Sequence, residues 1–190
     1  MRKIKDRYVL TVVTGLLGLL GVTFLDRVSL KLGYSSRSYR HTAAGLFVNS
    51  KFGARSKSGQ AFGFIMNGIA SILGAGLISS LITKTGRDFY ALKGLISGIT
   101  HGASLMLLQA YLPWNKMKPI NAVSNLSYVV INGIYGLICG IAITKLGDDS
   151  LFDIEPANDY LSPTLKTSEE GNQEFHQYPV IDTMIETTLH

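Results

Sequence analysis

The chain has 190 residues and 46% of them are apolar, enough for one soluble domain or one small bundle of membrane helices. Its charge is strongly segregated: residues 1–145 hold 17 of the 18 Lys and Arg but three of the 13 acids, a net +14, whereas residues 146–190 carry a net −9. The basic residues flank apolar runs instead of lining one face and no nucleic-acid motif is present, which argues against a nucleic-acid partner; the single Cys139 excludes an internal disulfide and a multi-cysteine metal site.

The first apolar run is Tyr8–Leu25, 18 residues without a charge. Its basic start (Arg2, Lys3, Lys5, Arg7) would suit a signal peptide. The run is longer than a typical signal core, however, and Leu25-Asp26-Arg27 is not a small-residue cleavage site, so it is expected to stay as a membrane span. The helix is expected to continue through DRVSLKLGY, with Val28 and Leu32 facing the bundle. In the following segment Ser36 or Ser38 can cap a short helix over about 37–49, with Tyr39, Ala43, Leu46 and Phe47 on its apolar side and its axis along the membrane surface. Gly53–Gly59 is expected to be a basic, flexible approach to the second span.

That span is Ala61–Ile82, 22 residues without a charge. The third, Leu92–Leu112, has 21 residues and is charged only at Lys93; the fourth, Val123–Thr144, has 22 and no charge. Roughly 20 helical residues cross the hydrocarbon core of a bilayer, and only helices satisfy their own backbone there without closing a barrel. The fold class is therefore all-α, a polytopic transmembrane four-helix bundle. The short connections Thr83–Ala91 and Pro113–Asn121 make neighbours antiparallel. The transmembrane domain is expected to cover residues 1–147. Residues 148–190 are expected to form an acidic, mostly disordered tail, with Leu151-Phe152 pinning its start to the membrane surface and Tyr178–Ile185 available as a short partner-binding element.

Two further patterns run along the spans. Met66-Asn67-Gly68-Ile69 matches Ile131-Asn132-Gly133-Ile134, and Ile82-Thr83-Lys84-Thr85-Gly86 matches Ile143-Thr144-Lys145-Leu146-Gly147, which suggests two parallel hairpin repeats, each ending in a Lys and a left-handed Gly stop. Small residues recur every fourth position at Gly94, Gly98 and Gly102, at Asn132, Gly136 and Gly140, at Ser71, Ala75 and Ser79, at Ala70 and Gly74, and at Thr14 and Gly18. Such spacing lets helix backbones approach closely. It fits contacts within one chain or a homo-oligomer equally.

The candidate polar site inside the membrane is His101, Asn67, Asn125, Tyr128, Asn132 and Tyr135. Ser97, Ser104 and, two turns earlier, Lys93 share the His101 face. Asn125, Tyr128, Asn132, Tyr135 and Cys139 form one stripe on the fourth span. Intramembrane polar groups face the bundle and are functional candidates: His101 can titrate near neutrality, or it can join Asn132 or a serine as interhelical glue. No metal-ligand spacing, phosphate loop, dinucleotide fingerprint or Ser-His-acid set is present. The expectation is accordingly no enzymatic activity and no cofactor.

An even number of spans puts both termini on one side, with eight basic residues there against nine on the other, so the charge count does not choose. The compact basic start before the first span favours cytoplasmic termini. The basic segment from Lys31 to Arg37-Ser38, Lys93-Gly94-Leu95 with Gly98, Ser124-Asn125-Leu126 and Tyr135-Gly136 resemble small uncharacterised bacterial inner-membrane proteins of the YagU and YqhR kind, over most of residues 8–145. The resemblance implies a bacterial cytoplasmic-membrane location and no established enzymatic role. The sequence thus points to a structural or interaction protein whose partners are the lipid bilayer, further copies of itself and a protein met by the tail. A small transporter or channel subunit, with a polar path near His101, Asn67 and Asn132, is the alternative.

Overall fold

The computed structural model describes residues 3–119 and 121–152; the acidic stretch beyond, including Tyr178–Ile185, lies outside the described residues. Every described regular element is helical: α1 (Arg7–Lys31), α2 (Tyr39–Ala44), α3 (Lys51–Arg55), α4 (Lys57–Thr85), α5 (Tyr90–Tyr111) and α6 (Ala122–Leu146), followed by a 3-10 turn at Asp149–Leu151. Four of them, α1, α4, α5 and α6, are long and apolar enough to cross a membrane. Three of the four exceed their apolar runs at both ends because capping side chains sit in the polar flanks. Asp6 accepts the Val9 N–H at 2.8 Å, Ser56 that of Gly59 at 3.0 Å and Asn121 that of Ser124 at 2.9 Å, each satisfying a donor that the first turn leaves open.

Helix α1 packs against α4 and α6, and α5 against α6. The α5–α6 seam is made by the two glycine stripes, facing each other within one chain. A Cβ on Gly94 would strike the Gly136 carbonyl; one on Gly98 would strike Asn132 O and come within 2.8 Å of Gly136 N; one on Gly140 would come within 2.6 Å of Tyr90 O. No side chain fits between these backbones, so dispersion contact between main chains holds the pair. Large apolar side chains such as Leu20, Phe24, Leu73, Leu107 and Leu126 point outward, as lipid contact requires.

The connection between α1 and α4 departs from expectation. The short helix covers Tyr39–Ala44, not 37–49, and it does not lie on a surface: Tyr39, Thr42 and Ala44 are buried. It is wedged against the start of α4, where a Cβ on Gly63 would collide with the Arg40 carbonyl and one on Gly59 with the Gly53 carbonyl. Glycine at 59 and 63 thus admits two main chains to the flank of α4. The expected flexible approach is helix α3 resting on that flank, while Phe47, expected on the apolar side, is exposed. On the last turns of α1 the inward residues are Asp26 and Ser29; Val28 and Leu32, expected to face inward, are exposed along a groove.

At the terminal face the segment before α1 is tied to the end of α6. Ile4 N–H donates to Leu146 O at 2.8 Å and Asp148 N–H to Ile4 O at 2.9 Å, a parallel bridge between Ile4 and Gly147. Leu151 and Phe152 join the main core, and Arg87 stacks on Phe152 at 4.0 Å. Leu151 and Phe152, placed in the tail by the sequence reading, thus pack into the helical body beyond residue 147. Gly86 has the positive φ expected of a glycine stop, +84°, but its ψ of 173° is extended and not left-handed helical. Gly147 lacks the positive φ: it is extended, and glycine is needed there because a Cβ would meet Ile143 O and the Phe152 ring at 2.8 Å.

Candidate functional site

The polar residues of the spans meet near half-height. Asn132 lies ten residues into α6 and His101 eleven into α5, about 15 Å from the helix starts, close to the middle of a hydrocarbon core of about 30 Å. Ser71 occupies the middle of α4. Tyr39 reaches the same level from α2, because the wedge carries it inward past the helix ends. Its ring stacks on Tyr128 with centroids 4.0 Å apart and 8° between planes. Its hydroxyl donates to Tyr128 O at 2.9 Å and accepts from Asn132 Nδ2 at 2.8 Å. Asn132 Nδ2 also donates to Tyr128 O at 2.8 Å. One asparagine thereby fixes a loop tyrosine to a carbonyl of its own helix.

Two further contacts hold helix α2 in place. Ser38 caps it through the His41 N–H at 3.1 Å. Buried Asp26 of α1 accepts the Tyr39 N–H at 3.2 Å, a carboxylate at the positive end of the helix. Burial holds the Tyr39 phenol well above its ordinary 10.0, with Tyr128 and Asp26 adding to the shift. The hydroxyl therefore stays protonated and serves as donor and acceptor together.

Val22, Tyr39, Asn67, Ser71, His101, Asn132 and Tyr135 surround one cavity with about 10 Å³ open to the centre of a water molecule, room for about one water. Tyr135 donates its hydroxyl to Ser71 O. His101 lies against Tyr135, centroids 6.1 Å apart. Glycine at 74 makes room for both: a Cβ there would come within 2.8 Å of the Tyr135 hydroxyl and 2.9 Å of His101 Nε2. Cys139, one turn on, donates to Thr14 O at 3.5 Å and is buried.

Of the six candidate residues, Asn67, His101, Asn132 and Tyr135 line this cavity, and Tyr128 stacks on the Tyr39 ring beside it. Asn125 is elsewhere: it accepts from Arg37 Nη2 at 2.8 Å and donates to Pro119 O at 3.1 Å, so the stripe on α6 serves two places. Lys93, which shares a helix with His101, instead closes the far end of α4, donating to Thr85 O, Gly86 O and Asp88 at 3.1 Å each. Ser104 returns its hydroxyl to Thr100 O at 2.8 Å. Tyr39, Ser71 and Asp26 enter the site without having been singled out for it. Asp26 had one signal, being the only acid between Arg7 and Arg87.

Comparison of the chain with protein-family models, curated proteins and solved structures gives no match. Among the described residues no group of three or more His, Cys, Asp or Glu could hold a metal ion. The cavity contains neutral amides, phenols, a serine and one imidazole. Such a set can bind one another and a water molecule across helices.

Proposed function

We propose that this chain is a structural or interaction protein of the bacterial cytoplasmic membrane, crossing it four times with both termini in the cytoplasm, and that it is not an enzyme. The observation that carries this is the state of the polar centre. The Tyr39 and Tyr135 hydroxyls and the Asn132 amide are directed at backbone carbonyls and one another, and the space left is about one water in size. This supports interhelical glue, as does the main-chain contact of α5 with α6, which leaves no lumen along that seam. The lipid bilayer is the first partner. Further copies of the chain can pack on the outward faces, and the acidic stretch to residue 190 is the element offered to a protein partner.

The second reading, a small transporter or channel subunit, is favoured by one fact: Asn67 and Asn132, at matching places in the proposed repeat, line one cavity with His101. Reconstitution into liposomes loaded with pH- and ion-sensitive dyes separates the two. A structural protein gives the leak of empty vesicles. A flux that disappears in His101→Leu, with helicity retained, would overturn our reading. Orientation is tested with Ser168→Cys in intact cells, where Cys139 adds little background because it is buried. Labelling by a membrane-impermeant maleimide only after permeabilisation is expected; labelling of intact cells would reverse the topology.

A further inference from the structure

The loop face carries a second, larger cavity of about 520 Å³, lined by Ser36, Arg37, Lys51, Arg55, Lys116, Lys118 and neighbours, within the range of about 300–1,000 Å³ usual for ligand sites. Five of its side chains are cationic and none is acidic. Among the described residues none of the five is in an ion pair. Arg37 is the built part. It is 7% exposed, fixed by donation to Lys118 O and Asn125 Oδ1, and its buried Nε has no partner. Asn121, the N-cap of 25-residue α6, also lines the cavity and adds the positive end of a long helix. A buried guanidinium with an unspent donor, four further cations and a helix start are the chemistry of a phosphate site.

The cavity also has an apolar continuation. The groove between the end of α1 and the start of α6, about 370 Å³, is lined by Leu25, Val28, Leu32, Val123, Leu126 and Val130 with their neighbours. The two are neighbours: Ser36 and Asn121 of the cavity lie two residues in sequence from Tyr34 and Val123 of the groove. Ser36 N–H donates to Ser124 Oγ at 3.0 Å.

We propose that this composite surface is a binding site for a glycerophospholipid with an anionic headgroup, the phosphate in the Arg37 cavity and one acyl chain along the α1–α6 groove. The site depends on membrane embedding but not on whether the protein is structural or a transporter, so a flux result leaves it untouched. The test is native mass spectrometry of the full chain in detergent with equal phosphatidylglycerol and phosphatidylcholine added. At least tenfold preference for phosphatidylglycerol is expected. The triple variant K51Q/R55Q/K116Q, which leaves Arg37 and its supporting bonds in place, should bring that preference near parity without shifting the unfolding midpoint. Val130→Trp, filling the groove, should weaken retention of the lipid. Equal retention of the two lipids by the unaltered protein would overturn the proposal. So would displacement of phosphatidylglycerol by millimolar inorganic phosphate together with no effect of Val130→Trp, which would assign the cavity to a free anion.

Discussion

Gly98→Ala tests the central packing claim, because the same substitution elsewhere should act with the opposite sign. A Cβ at residue 98 would strike Asn132 O and lie 2.8 Å from Gly136 N and Cα, where ordinary contact begins at 3.4 Å. All three obstacles are main chain and cannot rotate away. The helices must part by more than about 0.6 Å, and the shift is shared by the contacts of Gly94, Gly102 and Gly140 along the same line. Overpacking of this kind costs about 1–3 kcal/mol, offset by up to about 1 kcal/mol of improved helix propensity. A net loss of about 2 kcal/mol is expected, roughly 30-fold in the unfolding equilibrium. The control is Gly68→Ala, whose Cβ would meet Leu19 Cδ2 at 3.5 Å, an ordinary contact; it should be neutral or slightly stabilising. Unfolding by dodecyl sulfate in mixed micelles, followed by far-ultraviolet circular dichroism, reads both. Equal losses in the two variants, or no loss at Gly98, would refute the packing argument.

Tyr39→Phe removes the hydroxyl between Tyr128 O and Asn132 but keeps the ring stack and the second Asn132 bond, so a loss of about 1 kcal/mol is expected; a cycle with Asn132→Ala should show the two changes to be less than additive in the same unfolding assay. At the terminal face the hydrogen bond from Lys3, then Arg87, holds Asp149 below its ordinary 3.8. A depressed carboxylate stabilises the folded state above its ordinary value and loses that effect as pH falls through the folded one. The stability difference between the unaltered protein and Asp149→Asn should therefore be constant from neutral pH down to about 4 and vanish below it. Half-exposed partners keep it under about 1 kcal/mol, and unfolding midpoints taken across that range with and without 0.5 M salt check both size and origin.

The four long helices were legible because uncharged runs of bilayer length leave the backbone no other arrangement. The glycine seam was legible as a contact, since a spacing of four fixes a face. Its partner was open, since a stripe carries no address. The inward course of residues 36–60 was not legible. Tyr39 owes its position to Tyr128 and Asn132, about ninety residues away, and local periodicity in a six-residue helix cannot report so distant a partner. The one local trace was Gly59 and Gly63, small residues one turn apart at the head of α4, which mark a close approach as surely as those of α5 do. The α6 stripe shows the converse. Its period correctly gave a single face, yet that face is long enough for Asn125 to serve Arg37 near the helix start while Tyr135 meets Ser71 and His101 farther along.

The wedge also sets an order of assembly. Helix α1 leaves the ribosome early, but the tyrosine that follows it has its carbonyl and amide partners on α6, about ninety residues later. The strand-like pairing of Ile4 likewise waits for residues 146–148. Until α6 is in the bilayer, Arg37 and Tyr39 of the segment after α1 lack the partners that α6 supplies, and the basic loop stays in water. Synthesis of α6 and residues 146–148 is thus the event that locks Ile4 and the loop at once, so a nascent chain truncated before α6 is expected to be open to proteolysis at the 36–60 segment.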